Sequence, residues 1–165
     1  MNEPRWLDDE EQDAWRAMAG IVFALPAALD AQLQRDAGLT HFEYTVLAAL
    51  SETEGRSLRM SLLATLANGS LSRLSHVVKR LEKQGWVRRA TDPDDGRYTV
   101  ATLTDDGYAK IVATAPGHVE AVRQLVLDPL TRAQTRQLRE IGSRISRGLG
   151  VPAAGECPEL NRPIP

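Results

Sequence analysis

Residues 70–84 set Leu71, Leu74, Val78 and Leu81 at helical steps, so these four face a core. The opposite face carries Ser72, Arg73, Ser75, His76, Lys79, Arg80 and Lys83, and Glu82 is the single acid of the segment. Hydroxyls and guanidinium groups so spaced reach base edges in a major groove, and lysine and arginine neutralise phosphates. The bland alternative is a solvated helix face. The stripe's single sign and its hydroxyl content favour nucleic acid. A second constellation follows. Runs rich in aromatic and β-branched residues at 86–90 and 98–103 flank Thr91-Asp92-Pro93-Asp94-Asp95-Gly96-Arg97, which is packed with turn formers. This reads as a β-hairpin with a charged tip. Arg88 and Arg89 lie on its first strand and Arg97 at its tip. A long arginine on a turn enters a narrow minor groove, where the potential is most negative. Asp95, two residues earlier, can hold that guanidinium in a fixed fork.

The elements that must position these groups carry clear start signals. Asp8 and Glu11 form a capping box for a long first helix, striped by Trp15, Met18, Val22, Leu25, Leu29 and Leu33. Pro26 should kink it, and Gly38 should end it. Thr40 and Glu43 form a second box, opening a helix that buries Phe42, Val46, Leu47 and Leu50. Residues 57–60 read as a small strand, and Ser61 is expected to cap a short helix through Ala67. Asn68-Gly69 is a turn, and Ser70 caps the basic helix. Two short helices joined by a tight glycine turn form the helix-turn-helix signature. Thr104 caps a long helix after the hairpin, with Pro116-Gly117 expected to kink or interrupt it and Asp128-Pro129 to end it. Thr131 and Gln134 box a last helix with Leu138, Ile141, Ile145 and Leu149 on one face. The tail, 150–165, holds four of the nine prolines and reads as unstructured.

At 165 residues the chain is long enough for one domain with a real core. Its net charge of −2 argues at first against a nucleic-acid partner. The sum hides a polarised chain: residues 68–103 hold seven basic and four acidic groups, and residues 1–20 hold two basic and six acidic. No run of the roughly 20 apolar residues of a membrane span is expected. The acidic N-terminus has the wrong sign for a signal peptide, so the expectation is a cytoplasmic protein with no membrane partner. Cys157 is the one cysteine and excludes an intrachain disulfide framework. His41, His76 and His118 lack metal-ligand spacing, and no nucleotide-binding or nucleophile-elbow motif occurs. The chain therefore reads as no enzyme, with neither cofactor nor metal.

Several of these residues together carry a family likeness: Leu58-Arg59-Met60-Ser61, the run from Leu71-Ser72-Arg73-Leu74 to Gln84-Gly85, Asp92-Pro93-x-Asp95-x-Arg97, and Leu103-Thr104-x-x-Gly107. In this the chain resembles the MarR family of bacterial transcriptional regulators, in element order over roughly residues 8–149. The resemblance implies a mainly α fold with a small β-hairpin, a winged helix-turn-helix at about 40–104. Dimerisation helices would lie at about 8–36 and 105–149. It implies a homodimer that binds a pseudo-palindromic double-stranded DNA site, as a repressor released by a small, aromatic ligand. It places Ser70, Ser72, Arg73 and His76 in the recognition-helix region and Asp95 and Arg97 at the wing tip. The wider DNA-binding set adds Ser75, Lys79, Arg80, Arg88 and Arg89. Trp15, Arg16, His41 and Tyr44 are of suitable type for the ligand, although each also reads as plain core or surface. The chain departs from the family's pattern at Asp94, where a basic residue is common, and at Leu62, where glutamate is common. Some relatives sense oxidants through a cysteine near the N-terminus, and this chain has none there. Arg132, Arg136, Arg139, Arg144 and Arg147 on the last helix could pair with the acidic N-terminus of a second subunit. The competing expectation is a winged-helix module that binds a protein partner instead of DNA.

Overall fold

The structure is a computed structural model and describes residues 3–150. Helix α1 (Asp9–Ala37) starts on the Asp8–Glu11 box and stops at Gly38, whose φ of 65° is left-handed. Helix α2 (His41–Glu52) starts on the Thr40–Glu43 box. A 3-10 turn, Glu54–Arg56, leads into strand β1 (Ser57–Arg59). Helices α3 (Met60–Leu66) and α4 (Leu71–Lys83) form the helix-turn-helix, and strands β2 (Val87–Thr91) and β3 (Thr99–Leu103) form the hairpin. Helix α5 (Asp105–Val122) runs into a π-helical turn, Arg123–Leu127, and α6 (Arg132–Gly148) follows on the Thr131–Gln134 box.

The sheet is antiparallel in the order β1-β3-β2, with Leu58 opposite Ala101 and Arg89 opposite Ala101 from the other side. The wing is thus a hairpin braced by a third strand from before the helix-turn-helix. The core sits between this sheet and helices α1 to α5. Leu33, Leu47, Leu50, Leu63, Leu74, Leu81 and Ile111 are fully buried there.

Two glycines are demanded by close approach. A Cβ on Gly107 would collide with the carbonyl oxygen of Trp86 at the start of α5. That same oxygen accepts the Thr104 N–H at 3.0 Å, and Thr104 Oγ1 donates to the Gly85 carbonyl at 2.6 Å. The Leu-Thr-x-x-Gly pattern is therefore a joint between wing and helix. A Cβ on Gly69 would lie 2.7 Å from the Phe42 ring, so the turn of the helix-turn-helix rests on α2.

Two expectations need correction. Ser61 does not cap α3: the helix begins at Met60, and Arg59 at the cap position makes no side-chain cap bond. The helix is entered directly from β1, which leaves no room for a separate cap. The prolines interrupt neither helix: α1 is continuous across Pro26, and α5 across Pro116. The irregularity comes later, where the Asp128 N–H reaches the Arg123 carbonyl and widens the turn. Finally, α1 is by length and composition alone apolar enough to cross a membrane, with a stretch of mean hydropathy 1.3. Asp30 and Gln32 break its apolar run without lowering the average much. Those two side chains are engaged in the fold: Asp30 accepts the His41 N–H at 2.7 Å, and Gln32 donates to Asp36 at 2.8 Å. Cys157 and residues 151–165 of the tail lie outside the described residues.

Candidate nucleic-acid interface

Helix α4 is amphipathic and capped by Ser70, whose hydroxyl accepts the Arg73 N–H at 3.2 Å. Leu74, Val78 and Leu81 pin it to the core. At 100° per residue, Ser72, His76, Lys79 and Lys83 then point away from the core, and all four are exposed. Arg73 and Arg80 lie on one flank and turn toward α2. The Arg73 guanidinium stacks 4.1 Å over the Phe42 ring, and Arg80 Nε donates to Glu43 Oε1 at 2.6 Å. Ser75 lies on the other flank, in a cleft of about 390 Å³ shared with Leu71, Arg89, Arg97 and Tyr98. Helix and wing thus form the two walls of one groove.

The hairpin tip is built by two aspartates. Asp92 is buried; its Oδ1 accepts the N–H of Asp94 at 2.9 Å and of Asp95 at 3.4 Å. Its Oδ2 accepts Arg59 Nε at 2.7 Å, and the Arg59 guanidinium lies 4.5 Å over the Tyr98 ring. The Asp94 backbone N–H and then Arg59 hold the Asp92 carboxyl below the usual carboxylate range. Asp95 grips Arg97: Oδ1 accepts its backbone N–H at 3.1 Å and Nε at 2.9 Å, while Oδ2 accepts Nη2 at 2.6 Å. The fork expected from the sequence is present, and it lowers the Asp95 carboxyl and raises the Arg97 guanidinium. Arg97 is fixed at its base yet mostly exposed.

Arg88 and Arg89 diverge. Arg88 is exposed on β2. Arg89 is folded back on Glu82, which accepts its N–H at 3.0 Å, Nε at 2.9 Å and Nη2 at 2.6 Å. Those bonds, led by the Arg89 side chain, lower the Glu82 carboxyl. Arg59, Glu43 and Asp92 stand in the sequence as motif and capping residues, and nothing there marks them as braces of the groove. Arg59 and Asp92 are 33 positions apart, and Glu43 and Arg80 are 37 apart. No local spacing signals such pairs.

The four residues considered for a ligand do not converge. Trp15 is exposed, and Arg16 bonds Gln12 and Asp13 along its own helix. Tyr44 is buried with its ring 4.3 Å from that of His118. His41 alone of the four lines a cleft of about 790 Å³ between α1, α2 and α4, with Asp30, Phe42, Arg73 and Arg80. Burial lowers the His41 imidazole, with Asp30 opposing; burial and then the nearby His41 lower that of His118. Among the described residues no group of histidine, cysteine and carboxylate side chains could hold a metal ion.

Comparison with known proteins agrees with this geometry. The family model for the MarR family matches residues 39–99, the stretch from the start of α2 to the second wing strand. Sco3205, a MarR family transcriptional regulator from Streptomyces coelicolor solved in complex with DNA, is similar at 48% identity and a TM-score of 0.85. The match covers 97% of this chain and 98% of that one. The Mycobacterium tuberculosis HTH-type transcriptional repressor Rv2887 is 34% identical over 63% of this chain and 73% of the relative. The chain spans about half, 54%, of the Bacillus subtilis HTH-type transcriptional regulator YdcH, at 30% identity over 47% of this chain.

Proposed function

This chain belongs to the MarR family of transcriptional regulators, and on that premise we propose that it binds double-stranded DNA sequence-specifically as a homodimer and represses transcription. The observation that carries the reading is the single groove formed by α4 and the wing. Its walls are Leu71 and Ser75 of α4 and Arg89, Arg97 and Tyr98 of the wing; Ser72, His76, Lys79 and Lys83 face outward beside it, and Arg97, held in the Asp95 fork, is exposed at the tip. In this reading α4 enters the major groove and Arg97 the adjacent minor groove. Ser70 and Ser75 flank the helix contacts, Arg73 reaches a base from the α2 side, and Arg88 takes a phosphate.

The dimer rests on surfaces left bare. Helix α6 has no buried residue, yet Leu138, Ile141 and Ile145 form an apolar stripe on it. Trp15, Met18, Ile21 and Val22 form another on α1. Contiguous apolar faces of this size call for a partner, and a twofold dimer covers both at once. The arginines of α6 pair with no carboxylate among the described residues. The acidic start of α1 in a second copy offers them partners. A small aromatic acid in the cleft beside His41 and Arg73 would act as releasing ligand, since it would compete for Arg73.

A mobility-shift titration against the DNA flanking the protein's own gene tests the reading. The expected result is a salt-sensitive, saturable shift on one intergenic fragment. No shift on any neighbouring intergenic fragment would refute self-regulation.

A further inference from the structure

We propose that Glu43 is a specificity-determining residue: it holds Arg80 so that this guanidinium's charge is spent inside the protein and not on the phosphates of arbitrary DNA. The proposal rests on the reading of α4 as the DNA-facing helix.

Arg80 sits two turns after Arg73 on the same flank of α4, and its side chain is half exposed. By position it would be counted as a phosphate contact. Its partner is unusual. The Glu43 side chain is 7% exposed, and both of its oxygens are committed. Oε1 accepts Arg80 Nε at 2.6 Å; Oε2 accepts the Thr40 N–H at 2.8 Å and the Thr40 hydroxyl at 2.9 Å. The carboxylate is thus clamped by the cap of α2 and cannot follow Arg80 if the arginine leaves. Departure would strand a buried carboxylate without its cation, a costly state. Against that stands only the release of one counterion from one phosphate, the sequence-independent part of DNA binding. The pair should therefore stay closed on random DNA.

The other flank repeats the arrangement, with Glu82 accepting three N–H groups of Arg89. Lys79 and Lys83, on the outward face between the two flanks, make no ion pair among the described residues. Tying back the flanking arginines keeps the grip on arbitrary sequence weak, which widens the gap between operator and random DNA. Specificity is that gap, not the absolute affinity.

The test is the salt dependence of binding to a random-sequence duplex, measured for the full chain, for Glu43→Gln, and for Glu43→Gln with Arg80→Gln. The glutamine keeps an oxygen for Thr40 and loses the charge that holds Arg80. With Arg80 freed, the slope of log K against log salt should steepen by about 0.9, one more phosphate neutralised. The double variant removes both charges and should return to the slope of the unaltered protein. An unchanged slope in Glu43→Gln would mean that the charge of Glu43 does not restrain Arg80, and a double variant flatter by about 0.9 would mean that Arg80 already grips phosphate; either result would overturn the proposal. Thermal melting is recorded alongside. A merely structural Glu43 would lower Tm and leave the slope unmoved. If Glu43→Gln fails to fold, the double variant, which has no unpaired charge, decides alone. If the unaltered protein shows no salt-dependent binding to any duplex, the DNA-binding reading itself fails, and this proposal with it.

Discussion

Helix α4 holds Leu74, Val78 and Leu81 at full burial, whereas α6 repeats a similar helical spacing with Leu138, Ile141 and Ile145 and leaves each at least 41% exposed. Both helices carry basic residues off their apolar stripes, lysine and arginine on α4 and arginine on α6. The difference is what lies against them. Helix α4 has α3, the wing and α2 as neighbours; α6 buries nothing within the subunit. Periodicity reveals which face of a helix is apolar. It does not reveal which molecule covers that face. The winged helix is thus a structure one chain completes, and the terminal helices are a structure the proposed dimer completes.

The comparison breaks most visibly under truncation. Leu47→Ala in the core should cost about 2–5 kcal/mol, read by chemical denaturation. Ile141→Ala, measured in dilute protein where any dimer has separated, should change stability by less than about 0.5 kcal/mol. Equal losses at the two positions would mean that α6 has a partner within its own subunit. Ile141→Asp sharpens the contrast. It should shift the sedimentation profile to the monomer while the helical circular dichroism persists, because it charges only the uncovered stripe. A variant that stays dimeric would move the proposed interface elsewhere.

Smaller effects follow at the reading groove. Arg97→Ala should weaken operator binding by roughly tenfold and leave Tm nearly unchanged, since that side chain is exposed. Unaltered affinity would leave the wing without a role in DNA contact. The smallest effect expected is a pH dependence at the joint between the two regions. Here His41 and His118 stand with ring centroids 6.1 Å apart, and Gln32 Oε1 lies 3.3 Å from His118 Nδ1. Both imidazoles are held below their ordinary value of about 6.5, so below that pH the unfolded chain binds more protons than the folded one. Stability is therefore complete above about pH 6.5 and falls as pH drops through the folded values. His118→Asn should flatten the decline in urea-denaturation free energy measured from pH 7 to 5. An undiminished decline would place the titrating group elsewhere.

How far the sequence could be read follows the same division between local and distant. The Asp8–Glu11, Thr40–Glu43 and Thr131–Gln134 boxes are three-residue spacings, and all three form as expected. The Asp95–Arg97 fork spans two residues and was equally legible. The bracing of the groove was not. Pairing of β1 with β3 joins Ser57 to Thr102, and Arg59 reaches Asp92, across stretches no periodic pattern links. Pro26 and Pro116 each remove one helical hydrogen bond, yet the remaining bonds carry both helices through.

The central claim is that two winged helices, joined by their terminal helices, read one site together. Hydroxyl-radical footprinting of the shifted intergenic fragment measures this directly. The account predicts two protected patches related by a twofold axis, with centres about 10 bp apart or a multiple of that, both fading with Arg97→Ala. A single protected patch, or a shift with no footprint, would contradict it.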